Sequence, residues 1–195
     1  MEAAQLIADA RRLADSFTNF PEAEAKPNLI VVSGLPGTGK SYFSRRLAER
    51  LPFLILESDA LRKQLFPAPT YSAEESSYLF RTIYQLIENL LKKGTPVILD
   101  ATNLEERHRE RLYNIAERHE AKLIIVNVQA PPELVQKRLK KRVVTKESGE
   151  KSDADWEVYQ KMKPTAEKII RRHFTVDTSK DISPVIDKVV REAGR

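Results

Sequence analysis

The chain has 195 residues with no cysteine, 41% hydrophobic and 31% charged side chains, and a net charge of +5. That length carries one domain with a real core; the missing cysteines exclude disulfides and thiolate metal sites and fit a reducing, cytoplasmic setting, and no apolar run approaches the roughly 20 residues that cross a bilayer. The positive excess is local: seven basic residues against two acids lie between Lys137 and Lys151, so this segment holds all of it, which points to a local polyanion site rather than a general nucleic-acid coat.

Residues 2–17 open the chain with Leu6, Ile7, Ala10, Leu13, Ala14 and Phe17 on one side of an amphipathic helix, and the interspersed acids and arginines leave no apolar core for a secretory leader. The next stretch, TNFPEAEAKPN, has two prolines and little apolar content and reads as a linker. This divides the chain into an N-terminal helix and linker, 1–27, and a main domain, 28–195. Five short apolar runs read as buried strands: Leu29–Ser33, Phe53–Glu57, Pro96–Asp100, Lys122–Val128 and Phe174–Asp177. Helical patterns lie between them. One covers 40–50 and a short one follows the second strand. Another covers 73–92, started by a capping box of Ser72 with Glu75 and ended at Gly94. The next, 104–119, follows Asn103, with Glu106 three residues on. The last two are 132–145, after Pro131, and 181–193. Strand–helix alternation implies an α/β fold, a parallel sheet with helices on both faces, whose ligands sit beyond the carboxyl ends of the strands.

Between the first strand and the helix that follows it, GLPGTGKS fits G-x-x-x-x-G-K-[ST], with Gly34, Gly39, Lys40 and Ser41 in the fixed places. The glycines let successive N–H groups curl inward, and the helix adds the positive end of its dipole, so the turn forms a nest for phosphate oxygens. Leu35, Pro36, Gly37 and Thr38 belong to that turn, and Tyr42 follows it. Lys40 would reach the β- and γ-phosphates and the Ser41 hydroxyl would ligate Mg²⁺. The plainer alternative is a glycine-rich turn with a solvated lysine. The strand before the turn and the Phe43, Leu47, Leu51 pattern after it argue for the nest. The motif resembles that of the P-loop nucleoside triphosphatase superfamily, which implies ATP or GTP with Mg²⁺. No N-K-x-D guanine reader is present. The short chain and the late basic helix look more like a small P-loop kinase than a motor ATPase.

Asp59 stands just beyond the second strand, with Arg62 three residues on along the same side of the short helix. In a hydroxyl kinase a carboxylate there accepts the substrate proton, and Arg62 pairs with a substrate phosphate or carboxylate as a fork. The competing reading is that Ser58 or Asp59 only caps the helix. Asp100 ends an apolar strand in the Walker B manner, holding Mg²⁺ directly or through water. Asn103 reads first as a helix cap and second as a substrate contact, and Thr102 and Arg107 are neighbours of the same site.

In the 132–145 helix, Val135, Leu139 and Val143 form one apolar stripe, bordered by Arg138 and Arg142, while Lys137, Lys140 and Lys141 fall on the far side. The arginines can therefore face transferring phosphate and offset its charge, whereas the lysines read as a solvated face. The polar stretch TKESGEKSDAD suits a lid tip. His108, His119 and His173 have no metal-ligand spacing, and Trp156 with Tyr159 suits packing within the lid.

The order GLPGTGKS, SDALR, VILDATN, the Arg138–Arg142 pair and WEVYQKMKPTAEKI resembles the predicted-kinase group that includes the kinase domain of polynucleotide kinases, and more distantly zeta toxins, gluconate kinases and chloramphenicol phosphotransferases. The likeness spans about residues 28–190. It implies a three-layer P-loop fold with strand order 2-3-1-4-5, a helical lid at about 138–163, Asp59 as base, Arg62 on substrate, lid arginines on ATP, and Thr178 and Ser179 near the adenine. The N-terminal helix lies outside it. The implied activity is transfer of the γ-phosphoryl group of Mg·ATP to a hydroxyl of a small molecule. A nucleic-acid 5′-hydroxyl acceptor is the alternative, and a nucleotide-binding switch that docks a partner stands outside this chemistry. None of these needs a membrane.

Overall fold

The computed structural model describes residues 2–144 and 154–195. In chain order they form α1 (Glu2–Asp15), β1 (Asn28–Ser33), α2 (Lys40–Ala48), β2 (Leu54–Glu57), α3 (Ser58–Leu65), α4 (Ala73–Lys92), β3 (Val97–Asp100), α5 (Glu106–Arg118), β4 (Lys122–Gln129), α6 (Pro132–Val144), α7 (Trp156–Met162), β5 (Phe174–Asp177) and α8 (Ser183–Ala193), with a 3₁₀ turn at Lys163–Thr165 after α7. The expected lid tip, 145–153, lies outside the described residues.

The five strands make one parallel sheet in the order β2-β3-β1-β4-β5. Every residue of β1 is buried. Alternate side chains divide between two cores, as strand geometry requires. Leu29, Val31, Val97 and Leu99 face a core with α1, α3, α4 and α5. Ile30, Val32, Ile98, Ile124 and Val126 face α2 and α8 through Phe43, Leu47, Ile186 and Val189. A strand sandwiched this way has no polar face to spare, which is why it reads as an unbroken apolar run.

The strand ends are in register where the site is built: β1 Val32 lies beside Asp100, and β2 Glu57 beside Asp100 from the other side. The capping signals of α4 operate. The Ser72 hydroxyl accepts from the Glu75 N–H at 3.1 Å. At the far end, Gly94 N–H donates to Leu91 O and Thr95 N–H to Leu90 O, a Schellman closure. The returning half of the capping box differs, because the Glu75 carboxylate bonds Thr70 and Tyr71 instead of the N–H of Ser72.

Two expectations change. Helix α1 ends at Asp15, and the Ser16 and Phe17 amides turn back to Leu13 and Ala14. Its Ala10 and Leu13 are fully buried against the α4 side of the main core, while Ile7 is 55% exposed, so the apolar face is narrower than its spacing suggests. Helix α5 starts at Glu106 with Glu105 as its cap position, because Asn103 takes a left-handed φ of +46° and caps nothing. Among the described residues no helix is long and apolar enough to cross a membrane.

Candidate active site

The turn from Gly34 to Gly39 lies over the carboxyl end of the sheet. A side chain at Gly34 would place its Cβ 2.3 Å from the Val128 carbonyl, so the first glycine is required by a close approach to β4. Gly39 holds φ +96° and starts α2. Thr38 closes the turn on itself, its hydroxyl donating to Leu35 O at 2.8 Å. The Gly34 N–H donates to Thr102 O at 3.0 Å, tying the turn's root to the segment after β3. Tyr42, the first residue beyond the motif, is exposed.

Lys40 lies folded back over the turn, its Nζ donating to Leu35 O at 3.1 Å. Burial holds its ammonium below the ordinary lysine value; Asp100 and Asp59 oppose that drop, and Arg142 adds to it. Asp100 is 4% exposed and its Oδ2 has no hydrogen-bond partner. Burial pushes its carboxyl up; Lys40 and a bond from Ser41 pull it back, and Glu57 and Asp59 push it further up. Asp100 and Asp59 therefore act on one ammonium group, while Glu57, beside Asp100 in the sheet, acts on Asp100 and pairs with Arg45 at 3.9 Å. Of these, Glu57 escaped the sequence reading. The available signal was that it ends its strand as Asp100 ends the next one, in register with it. A buried, unpartnered carboxylate oxygen beside a serine hydroxyl suits a hard divalent cation, and Ser41 and Asp100 are the residues that would hold Mg²⁺.

Arg138 of α6 bridges this turn to the end of β5. Its guanidinium donates to Thr178 Oγ1 at 2.8 Å, Thr178 O at 3.0 Å and Gly37 O at 3.4 Å. Burial lowers its pKa, nearby Arg142 lowers it further and Asp177 raises it. Thr178 completes the bridge by donating to Thr38 O at 2.6 Å. Ser179 is exposed and turned onto Asp177, to which its hydroxyl donates at 2.7 Å. Arg142 is a second cation within electrostatic reach of Lys40. Val135 and Leu139 pack with Tyr159, Trp156 and Leu35, and the Trp156 and Tyr159 rings stack at 4.7 Å. Lys137, Lys140 and Lys141 are exposed.

Arg62 goes elsewhere. It forms a buried ion pair with Glu75 of α4, donates to the Ser76 hydroxyl at 3.1 Å, and lies over the Tyr71 ring at 4.7 Å. Asn103 also serves the scaffold, its Nδ2 donating to Val32 O at 3.0 Å from a buried position. Arg107 is exposed and pairs with Glu105 at 2.7 Å. His108 stacks on Phe80.

A family model named AAA_33, described as an AAA domain, matches residues 29–169. The chain belongs to this family. Among curated relatives of this AAA_33 chain, L-seryl-tRNA(Sec) kinase of Methanococcus maripaludis is 34% identical over 115 residues, 56% of the chain and 44% of the relative. The chain spans less than half the length of the curated relatives it matches, 44% and 45%. Among solved structures, Chaetomium thermophilum Kti12 in complex with ADP-AlF3 superposes with a TM-score of 0.67 at 20% identity, over 85% of this chain and 98% of that one. Mycobacterium tuberculosis APS kinase CysC, in complex with AMPPNP and APS, gives 0.66 at 17% identity over 88% and 100%. The AAA_33 chain thus has the P-loop kinase fold and a relative named as a kinase. The narrower likeness to the polynucleotide kinase group goes beyond these matches.

Proposed function

We propose that the chain is an ATP-dependent phosphotransferase that moves the γ-phosphoryl group of Mg·ATP to a hydroxyl of a small-molecule acceptor. The observation that carries this reading is Lys40 folded over the glycine turn, within electrostatic reach of Asp100 and Asp59, with one buried Asp100 oxygen lacking a hydrogen-bond partner. Loop amides and the start of α2 receive the phosphate oxygens. Lys40 exchanges the Leu35 carbonyl for them. Arg138 and Arg142 offset charge that spreads over the transferring group. Ser41 and Asp100 would hold Mg²⁺, which would supply charge neutralisation to the phosphates. Asp59 accepts the acceptor's hydroxyl proton as its oxygen bonds to the γ-phosphorus, while the bond to the β,γ-bridging oxygen breaks and ADP leaves. Thr178 and Ser179 lie on the nucleoside side, α6 and α7 act as the lid of a kinase domain at 28–195, and Arg62 holds the acceptor side in shape through Glu75.

A second reading keeps the chemistry and changes the acceptor to a nucleic-acid 5′-hydroxyl, the reaction of the polynucleotide kinase group. The exposed Lys137, Lys140 and Lys141 favour it, and the relative named L-seryl-tRNA(Sec) kinase supports a tRNA as the polyanion, though its name places the acceptor on a seryl group. Binding to such a polyanion falls steeply with salt.

Labelled ATP offered with a panel of hydroxyl acceptors, short 5′-hydroxyl oligonucleotides among them, tests both readings. Asp59→Asn is the blank: transfer is expected to drop by at least about 100-fold, with nucleotide binding and melting temperature kept. Wild-type transfer by that variant would remove Asp59 from the role of base.

A further inference from the structure

Arg109 is 0% exposed, the largest fully buried side chain among the described residues, although it sits in a helix that also carries Arg107 and Arg111. Its five N–H donors are all engaged. Nε donates to Glu106 Oε2 at 2.7 Å. Nη1 donates to Asn103 O at 2.7 Å and Leu104 O at 2.6 Å. Nη2 donates to Glu167 O and Lys168 O, both at 3.1 Å. Burying a guanidinium is costly unless it is paired and fully bonded. Here Glu106 supplies the charge and four backbone carbonyls supply the rest.

Those carbonyls belong to two segments more than sixty residues apart in sequence. One, 103–104, is bound to the root of the phosphate turn: Ser33 Oγ donates to Asn103 O at 3.0 Å, Asn103 Nδ2 to Val32 O, and Gly34 N–H to Thr102 O. The other, 167–168, is the chain returning from α7 to the sheet. Two further bonds cross the same joint: Glu167 N–H to Leu104 O at 3.0 Å, and Glu106 N–H to Glu167 Oε2 at 2.5 Å. Ile169 then enters the core against Tyr113 and Ile125. Arg109, with these two bonds, therefore links the turn that would hold triphosphate to the exit of the α6–α7 arm, whose Trp156 and Tyr159 belong to the same apolar cluster as Leu35 of that turn.

We propose that Arg109 is a positioning residue: it fixes the exit of the α6–α7 arm on the root of the phosphate turn, and so sets where the arm's arginines stand over the transferring group. This rests on the phosphotransferase reading. It assigns Arg109 an effect on the transfer step with little effect on nucleotide affinity, since the bonds it makes lie behind the turn.

Arg109→Lys keeps the charge but offers three donors from one point, too few to span four carbonyls on two segments. In steady-state kinetics kcat is expected to fall at least about tenfold while KM for ATP moves less than about threefold. Trp156 is the only tryptophan in the chain, so its emission reports the arm. The change in that emission on adding Mg·ATP is expected to shrink by more than half in the variant. Glu167→Ala removes an exposed side chain at the same joint and keeps the fold intact, with kcat expected to fall by about two- to threefold in the same direction. Wild-type kcat and wild-type Trp156 response in Arg109→Lys would overturn the proposal. Should that variant not fold, an unchanged Glu167→Ala would do so, as would a wild-type Trp156 signal indifferent to Mg·ATP. A wild-type protein that shows the emission change yet phosphorylates no acceptor fails the transfer reading instead, and the emission of the two variants then decides the joint.

Discussion

Asp59 and Arg62 stand three residues apart on α3, and their surroundings are opposites. Asp59 joins a cluster whose charges are left half answered: Lys40 is bonded to a neutral carbonyl, and Asp100 has a buried oxygen with no partner. Arg62 joins a node closed by an ion pair, with its own buried Nε the one guanidinium nitrogen lacking a partner. Burial alone would raise the Glu75 carboxyl, yet bonds from Thr70, Arg62 and Tyr71 hold it at about 2. The same carboxylate grips the amides of Thr70 and Tyr71, keeping Tyr71 at a left-handed φ of +57°. Buried charges are normally paired and bonded. Under the phosphotransferase reading proposed above, the Lys40 cluster is answered by a bound triphosphate, whereas the Arg62–Glu75 ion pair holds the wall beside it.

The largest effect expected from this contrast is at Lys40. Lys40→Ala should lower phosphoryl transfer by at least about 100-fold, read as kcat/KM with the acceptor found in the screen. A variant that lost melting temperature but kept turnover would put the Lys40 cluster in the same class as Arg62–Glu75. The closed node should answer the other way. Glu75→Gln should melt several degrees below wild type at pH 7, with its main loss in stability. The sign follows from its lowered pKa: the fold prefers the carboxylate, so the contribution is complete above the ordinary value of 4.5 and fades as pH falls toward about 2. The melting gap between the two proteins should therefore close over that interval, and a gap constant from pH 7 to 2 would dissolve the distinction. The smallest effect is at Ser72, which starts the helix carrying Glu75 without contributing charge. Ser72→Ala should cost about 1 kcal/mol, or about 3 °C in Tm, with turnover unchanged. A turnover loss there would mean that α4 shapes the acceptor side more closely than the contrast allows.

Much of this was legible from local pattern. The strand–turn–helix at 29–51, Asp100 at a strand end, and the Ser72 and Gly94 signals of α4 depend on residues near each other in sequence, and local rules read them. Arg62 was expected on a substrate, and spacing could not show that Glu75, thirteen residues on, would meet it. Nothing in the spacing of charges singles Arg109 out from the other charges of its helix. The signal it did carry is its place three and four residues before Leu112 and Tyr113, on the buried face of α5. Glu57 needed the register of β2 with β3. Asn103, read as a cap, failed as one because its left-handed backbone turns it toward Val32.

The amino-acid sequence by itself determined the glycine turn with its lysine and serine, and the unbroken apolar strands that force a sheet covered on both faces, because both follow from backbone freedom and from the period of hydrophobic residues. Which charges would be left unanswered and which would be buried and closed was decided only by the tertiary structure. Carbonyls and carboxylates brought together from segments such as 103–104 and 167–168 become partners only once the chain has folded back on itself.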